Sequence, residues 1–355
     1  MLHRFSKFLA ACTVLLILAG SLVTSHDAGL SVPDWPTSYG WNMFTFPPSM
    51  WVANILYEHG HRLIASSVGF LTIVLAVWLW LAEPRRWLRW LGVAALGTVI
   101  AQGLLGGLTV LFFLPAAVST AHAALAEIFF CMTVAIALFT SPGWIAANVP
   151  ARASTGSARA MKQFARPELV EGRALRALAT TTTVLIFTQI LIGATMRHSG
   201  AGLAIPDFPW MFGRIVPDHW DAKIAVHFAH RAGALVVMML VAASALSVRS
   251  RHRMRAELAR PAALMLLLVA VQVTLGALTI LSRRDPLINS VHVVCGALVL
   301  TTSLVLTLRT WRTRFAAATV RLKPDTTEEN ALPATPPIVG SVRLQPDHRN
   351  HRARA

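Results

Sequence analysis

The composition of the 355-residue chain excludes an ordinary soluble domain. Hydrophobic residues make up 55% of it, the mean hydropathy is +0.57, and only 14% of residues are charged, whereas soluble domains carry roughly 25% charged residues. The formal charge of +16 arises from 32 Lys and Arg against 16 Asp and Glu, but the basic residues lie between apolar runs instead of forming a nucleic-acid-binding face. We therefore predict an integral membrane protein in a lipid environment, with no nucleic-acid partner.

Eight segments meet the requirement of a spanning helix for about 20 mostly apolar residues. The predicted helices cover residues 8–24, 57–81, 90–113, 118–138, 177–196, 224–246, 261–281 and 287–308. The first follows Arg4 and Lys7, as a signal peptide would, but it leads into a structured-looking loop, so we predict a retained helix. The expected fold class is an all-α integral membrane protein.

The distribution of Lys and Arg predicts the topology, because positively charged short loops stay in the cytoplasm. Basic residues cluster in alternate connections, whereas residues 26–51 contain none; Arg283 and Arg284 are the exception. This pattern predicts that both termini lie in the cytoplasm; the expected location of the protein is a bacterial inner membrane. The expected organisation is a four-helix repeat at 1–150, a cytoplasmic linker at 151–176, a second repeat at 177–312 and a disordered basic tail at 313–355.

An internal duplication relates the two halves of the chain. The sequence AGLSVPDWP at 28–36 matches AGLAIPDFP at 201–209, an offset of 173, and the segment around His61 matches that around His230 at an offset of 169. Three glutamines precede a glycine by four residues: Gln102, Gln189 and Gln272. We interpret them as interhelical hydrogen-bonding groups, with porphyrin contact as the alternative. The repeats predict two pseudo-symmetric four-helix bundles related by an axis along the membrane normal.

Four histidines stand near the starts of the predicted even-numbered helices: His61, His122, His230 and His292. Intramembrane ionisable residues usually mark a functional site. Two imidazoles facing each other across a bundle can supply both axial ligands of a haem iron. The alternative for each one is an interhelical hydrogen bond, and zinc would require more ligands than a pair supplies. The duplication therefore predicts two haem-sized sites.

The repeats differ beside the first histidine of each pair. Glu58 precedes His61 by three residues and shares its helix face, whereas His227 occupies the matching position of the second repeat. A buried carboxylate beside a metal-bound porphyrin can act as a general base or electrostatic stabiliser. We predict chemistry in the first repeat and a plain haem-holding site in the second. For Glu127, which has no counterpart in the second repeat, a structural hydrogen bond and a proton route both remain open.

The ordered set of motifs resembles the haem A synthase family of cytochrome oxidase assembly, up to about Arg309. The resemblance rests on Pro33-Asp34-Trp35-Pro36, Glu58-x-x-His61-Arg62, His122, Pro206-Asp207-Phe208-Pro209, His230-Arg231 and His292. It implies an enzyme that oxidises the C8 methyl group of haem O to a formyl group, giving haem A. Unlike some members, this chain has no cysteine pair in its first outer loop.

The resemblance also implies roles for individual residues. Haem O would bind between His61 and His122, with Glu58 as the catalytic carboxylate, and a haem b cofactor would bind between His230 and His292. Two further residues, Arg62 and Arg231, would pair with haem propionates, or alternatively extend toward the membrane interface. The implied partners are haem O, the haem O synthase and an unidentified electron acceptor, and a homo-oligomer is left open.

Two other classes of protein fit the histidine pattern. One is a non-enzymatic di-haem b-type electron carrier, and the other is a haem transporter or chaperone. Haem extraction distinguishes them, because a carrier holds permanent haem B at both sites, whereas a transporter holds dissociable haem. A prenyl transferase that makes haem O is disfavoured, because the cytoplasmic loops contain no Asp-rich diphosphate motif.

Overall fold

The computed structural model describes residues 1–146 and 161–312, with the backbone alone for 161–171. In these ranges eight helices are long and apolar enough to cross a membrane, and no strand is present. They are α1 (Leu2–Ser25), α2 (Asn54–Ala82), α3 (Arg86–Leu111), α4 (Ala116–Phe139), α5 (Met161–His198), α6 (Ala222–His252), α7 (Ala256–Leu281) and α8 (Pro286–Arg312). A short helix, Pro142–Ala146, follows α4. The predicted fold class and all eight spanning helices are confirmed.

Helix α5 begins earlier than the apolar pattern predicts. It starts at Met161, whereas hydropathy places its start at 177. Residues 161–176 are too polar to be recognised as a span, but they are rich in Ala, Leu, Glu and Arg, which favour helix. The second part of the predicted linker is therefore helical. Residues 147–160, and the tail from 313 for which disorder is predicted, lie outside the described residues.

Each half of the chain forms a closed ring of four helices. In the first half α1 and α3 each pack against both α2 and α4, and in the second α5 and α7 each pack against both α6 and α8. The two bundles meet where α1 and α4 contact α5 and α8. We call the side at which α2, α4, α6 and α8 begin the histidine side, and the opposite side the terminal side. The predicted symmetry axis between the bundles stays a prediction.

The turn between α2 and α3 is fixed by an ion pair on the terminal side. The Glu83 carboxylate accepts hydrogen bonds from Nε and Nη2 of Arg85, at 2.6 and 2.9 Å, and these bonds hold the pKa of Glu83 below its ordinary value. Arg85 also donates to the carbonyl of Phe139 at 3.0 Å. Because Phe139 ends α4, the turn is tied to the neighbouring helix of the same bundle.

The α1–α2 and α5–α6 loops on the histidine side have matching hydrogen bonds. Asp34 accepts from the amides of Tyr39 and Gly40 at 2.7 and 2.9 Å. The counterpart, Asp207, accepts from the amides of the fifth and sixth residues after it, both at 2.8 Å. Gly40 and its counterpart 173 residues later have φ angles of 76° and 74°, which glycine adopts without steric cost. The sequence repeat is therefore a repeat of local structure as well.

Candidate functional site

The four predicted histidines lie at similar depths on the histidine side of the two bundles. His61 is on α2 and His122 on α4, at opposite corners of the first ring, and His230 on α6 and His292 on α8 are arranged likewise in the second. Within each pair the imidazoles are close enough to interact electrostatically. The structure thus brings each predicted pair together across the interior of one bundle.

Each imidazole packs against a glycine on the helix that precedes its own. A Cβ atom added to that glycine would lie close to the imidazole Cε1, at 2.9 Å for Gly20 and His61, 3.2 Å for Gly106 and His122, 2.8 Å for Gly193 and His230, and 3.2 Å for Gly276 and His292. A side chain at these positions would force the imidazole or the helix to shift, by a few tenths of an ångström even at 3.2 Å. Glycine at these four positions therefore lets the imidazoles lie close against the neighbouring helices.

Sequence reasoning missed one of these glycines. It found Gly106, Gly193 and Gly276 because a glutamine stands four residues before each. Leu16 takes the place of that glutamine before Gly20, so this site does not fit the pattern. The duplication carries the missing signal, because Gly20 and Gly193 are separated by the same 173 residues as the two loop motifs.

The three glutamines hold the histidine helices in place. Nε2 of Gln102 donates to the carbonyl of His122 at 2.9 Å, and Nε2 of Gln189 donates to the carbonyl of His230 at 2.7 Å. Gln189 Nε2 also lies 3.0 Å from Nδ1 of His230, and Gln272 Nε2 lies 3.4 Å from a ring nitrogen of His292. The interpretation of these residues as interhelical hydrogen-bonding groups is confirmed for Gln102 and Gln189.

The imidazoles of the first bundle fit axial haem ligation. In the described part of the chain Nδ1 of His61 and of His122 is buried without a hydrogen-bond partner, as is Nδ1 of His292. The residues are nevertheless partly accessible. A buried polar atom without a partner costs about 1–3 kcal/mol, and coordination of each imidazole to a metal would offset part of that cost. A pair of imidazoles is a donor set that suits a porphyrin iron. In the same part of the chain no three His, Cys, Asp or Glu residues group to hold a metal ion.

Glu58 is buried at the histidine-side end of α2, with 3% of its surface exposed. Its Oε1 accepts a hydrogen bond from Arg62 Nη2 at 2.7 Å, and its Oε2 accepts from the amide of Val32 at 2.8 Å. Arg62 donates three further bonds to loop carbonyls, those of Val32, Asp34 and Thr37, at 2.8, 2.8 and 2.9 Å. The carboxylate and the guanidinium together fasten the α1–α2 loop over the first histidine pair.

The second bundle repeats the arginine but not the carboxylate. Arg231 donates to the three matching carbonyls, those of Ile205, Asp207 and Trp210, at 2.9, 2.8 and 3.0 Å. His227 occupies the place of Glu58, with its Nδ1 3.1 Å from the carbonyl of Ala201. Both arginines therefore bind loop backbone, and their pairing with propionates stays a prediction.

His59 is a polar residue beneath the α1–α2 loop whose environment the sequence does not reveal. The structure buries it completely. Its ring lies 4.8 Å from those of both Phe46 and Trp51, and Nδ1 lies 3.1 Å from Ser38 Oγ. The matching residue of the second bundle is Phe228. The two polar residues that distinguish the first site, Glu58 and His59, are thus adjacent in the chain.

These features define a multi-pass helical membrane protein with a partly buried histidine pair in each of two four-helix bundles. The model of the COX15-CtaA family, described as cytochrome oxidase assembly protein, matches residues 3–304. The chain therefore belongs to this family of cytochrome oxidase assembly proteins, which confirms the expected membership.

Several relatives carry the name heme A synthase. The protein of Shouchella clausii is 26% identical over 292 residues, which cover 81% of this chain and 90% of the relative. That of Symbiobacterium thermophilum is 29% identical over 287 residues, covering 79% and 86%. That of Geobacillus kaustophilus is 25% identical over 344 residues, covering 94% and 99%. The similarity therefore extends over both bundles.

Proposed function

We propose that the protein is a haem A synthase that oxidises the C8 methyl group of haem O to a formyl group, giving haem A for cytochrome oxidase. Family membership and the names of the relatives support this activity. The observation that carries the assignment of the site is the buried, unduplicated carboxylate of Glu58 beside one of two otherwise similar histidine pairs.

The two bundles divide the work between substrate and cofactor. His61 and His122, whose buried Nδ1 atoms have no hydrogen-bond partner in the described chain, would hold haem O. His230 and His292, each approached by a glutamine amide, would hold a resident haem b. A haem at the second site supplies electron transfer. An electron acceptor of unidentified class completes the oxidation, and the haem O synthase is the expected source of substrate.

Glu58 acts as the proton acceptor of the first site. Oxidation of a methyl to a formyl group with an oxygen atom taken from water releases four protons and four electrons. The electrons pass to the electron acceptor, and a carboxylate shielded from bulk water can accept a proton and stabilise positive charge nearby. The bonds from Arg62 to Oε1 and from Val32 to Oε2 hold the group in one orientation. Arg62 acts as a positioning residue, because it binds the carboxylate and the loop that covers it.

The topology inferred from the basic residues places the histidine side at the outer face of the bacterial inner membrane and both termini in the cytoplasm. It is supported by the Lys- and Arg-free segment 26–51 and by five arginines between 249 and 260. Labelling of single cysteines introduced at Asn42 and at Arg253 with a membrane-impermeant reagent in intact cells tests it. We expect labelling at Asn42→Cys only.

Haem analysis of Glu58 variants tests the function. Wild-type protein, Glu58→Gln and Glu58→Ala are expressed with and without a haem O supply, purified and extracted for chromatography of their haems. We expect both variants to retain haem b and haem O but to form no haem A. The control Asp218→Asn changes an exposed carboxylate and should convert haem O normally. Wild-type haem A formation in both Glu58 variants would refute the role of Glu58.

The same extraction separates the alternative functions. Haem B at both sites of the wild-type protein, with neither haem O nor haem A under any supply, would identify a di-haem electron carrier. Haem that is lost from both sites on dilution would identify a transporter or chaperone. A haem A synthase should instead contain haem b together with haem O or its oxidised products.

A further inference from the structure

We propose that a cleft on the terminal side, between the two bundles, binds an anionic phospholipid of the cytoplasmic leaflet. The cleft has a volume of about 470 Å³ and is lined by residues of α7 and α8 of the second bundle and by Val134 on α4 of the first. Its principal lining residues are Val134, Glu257, Arg260, Leu264, Val305 and Arg309. This site rests on the inferred topology but not on the proposed enzymatic function.

Positive charge converges at the mouth of the cleft. Arg309 Nη1 donates to the backbone carbonyl of Glu257 at 2.6 Å, and the side chains of Glu257 and Arg260 are close enough to Arg309 to interact electrostatically. Two guanidinium groups and one carboxylate thus lie near one another. An anion that binds both arginines reduces the repulsion between them, and the planar guanidinium matches the oxygen geometry of a phosphate group.

The cleft changes from charged to apolar along its depth. Arg309 stands at its mouth, and Thr301, which also lines it, lies eight residues earlier on α8, about 12 Å deeper at 1.5 Å per residue. Val134, Leu264 and Val305 supply apolar walls between these levels. A charged mouth at the membrane surface above an apolar wall matches a phospholipid better than a free anion, which has no apolar part.

The position of the cleft explains why such a ligand would stabilise the protein. Val134 belongs to the first bundle and the arginines to the second, so a bound phospholipid contacts both. The cytoplasmic leaflet is rich in anionic lipid, and basic pockets between helices on that side bind anionic headgroups. We therefore expect lipid binding to favour the association of the bundles.

Native mass spectrometry of the full-length protein tests the proposal. Phosphatidylglycerol and phosphatidylcholine of the same acyl chains are titrated against the wild type, Arg260→Gln, Arg309→Gln and Glu257→Gln. We expect the wild type to prefer phosphatidylglycerol, and each arginine variant to lose about five-fold in that affinity, equivalent to about 1 kcal/mol per basic residue. Glu257→Gln should bind phosphatidylglycerol more tightly, because it removes the opposing charge. Binding of phosphatidylcholine should not change.

Two controls make the result specific to the cleft. Arg86→Gln removes an exposed arginine on the terminal side but outside the cleft, and it should bind phosphatidylglycerol as the wild type does. Val305→Phe fills the cleft without changing charge, and it should lose the lipid even if an arginine variant fails to fold. Equal losses in Arg86→Gln and Arg260→Gln would show only general surface attraction and overturn the proposal.

Competing occupants give different outcomes. Displacement of phosphatidylglycerol by millimolar inorganic phosphate would identify a free-anion site and overturn the lipid assignment. Unchanged lipid binding in both arginine variants and in Val305→Phe would also overturn it, and would be expected if another segment of this chain fills the cleft. Haem content is recorded for every variant, so that a loss of lipid binding is distinguished from a failure of the proposed enzymatic function.

Discussion

The two histidine pairs are held by similar helices but have different polar surroundings. All four imidazoles lie against a glycine of the preceding helix. In the second bundle Gln189 and Gln272 also approach ring nitrogens, at 3.0 and 3.4 Å. In the first bundle the Gln102 side chain donates to the backbone carbonyl of His122, and Leu16 stands where a fourth glutamine would be. Contacts between glutamine side-chain amides and ring nitrogens thus distinguish the second pair, which supports the proposal that this pair holds the resident haem b.

The loops over the two sites differ as well. The ring of Trp35 packs against Gly107, where an added Cβ would lie 2.5 Å from Trp35 Cδ2. In the second bundle Ala277 corresponds to Gly107, and the counterpart of Trp35, Phe208, is 40% exposed. Together with Glu58 beneath it, the first loop forms a closer cover. Shielding from water strengthens electrostatic interactions within a site, so this difference supports the proposal that the chemistry takes place in the first bundle.

Removing the histidines one at a time should have the largest effect on haem b binding and on the formation of haem A. His230→Ala and His292→Ala should each lose most of the bound haem b, because one axial ligand is gone. His61→Ala should retain haem b but form no haem A. Absorption spectra of the purified proteins and haem chromatography measure both results, and His219→Ala, which changes an exposed loop histidine, is the control. Loss of haem b in His61→Ala but not in His230→Ala would reverse the assignment of the two sites.

Filling the space beside an imidazole should have the next largest effect. In Gly193→Ala the new Cβ would lie 2.8 Å from His230 Cε1, so the imidazole or the helix must shift. Overpacking of this kind costs about 1–3 kcal/mol, equivalent to about 5- to 150-fold in affinity. We expect weaker retention of haem b, measured by transfer to apomyoglobin. Gly103→Ala, with no atom within 4 Å of its Cβ, should retain haem b like the wild type; equal loss in both would contradict the packing argument.

The sequence predicts the helices and the four histidines better than it predicts the contacts of individual side chains. Apolar length identifies the eight helices, because lipid-facing and core residues alike are apolar, and the repeat identifies the four histidines. Neither signal reports which groups a side chain contacts. The burial of His59 and the binding of Arg62 to loop carbonyls depend on how the α1–α2 loop folds back over α2. The early start of α5 was missed because its first turns are polar, and hydropathy does not register a helix outside the membrane.

A substitution that makes the second bundle resemble the first should have a smaller effect on the retention of haem b. Gln189→Leu reproduces the residue found at Leu16 and removes the bond to the carbonyl of His230. Interhelical hydrogen bonds in membranes contribute about 0.6–2 kcal/mol, so we expect haem b to dissociate about 3- to 30-fold faster. The neighbouring Thr188→Val, whose hydroxyl donates within its own helix, is the matched control. An unchanged dissociation rate in Gln189→Leu would show that the glutamine does not constrain the site.

Acidification should destabilise the α1–α2 and α5–α6 loops to the same extent, and only at low pH. Burial alone would raise the pKa of Asp34, but hydrogen bonds from Gly40, Thr37 and Tyr39 outweigh it and lower that pKa below the ordinary value of 3.8. The pKa of Asp207 is also lowered from 3.8, chiefly by the hydrogen bond from the amide of Gly213.

A carboxylate whose folded-state pKa is depressed stabilises the fold above its unfolded-state pKa, and the contribution is lost as the pH falls through the folded-state value. Hydrogen exchange of the loop amides should therefore be protected equally in both loops above about pH 4, and protection should decrease only below it. Earlier loss in the α1–α2 loop would show that Glu58 and Arg62, and not the shared aspartate, determine the acid stability of the first site.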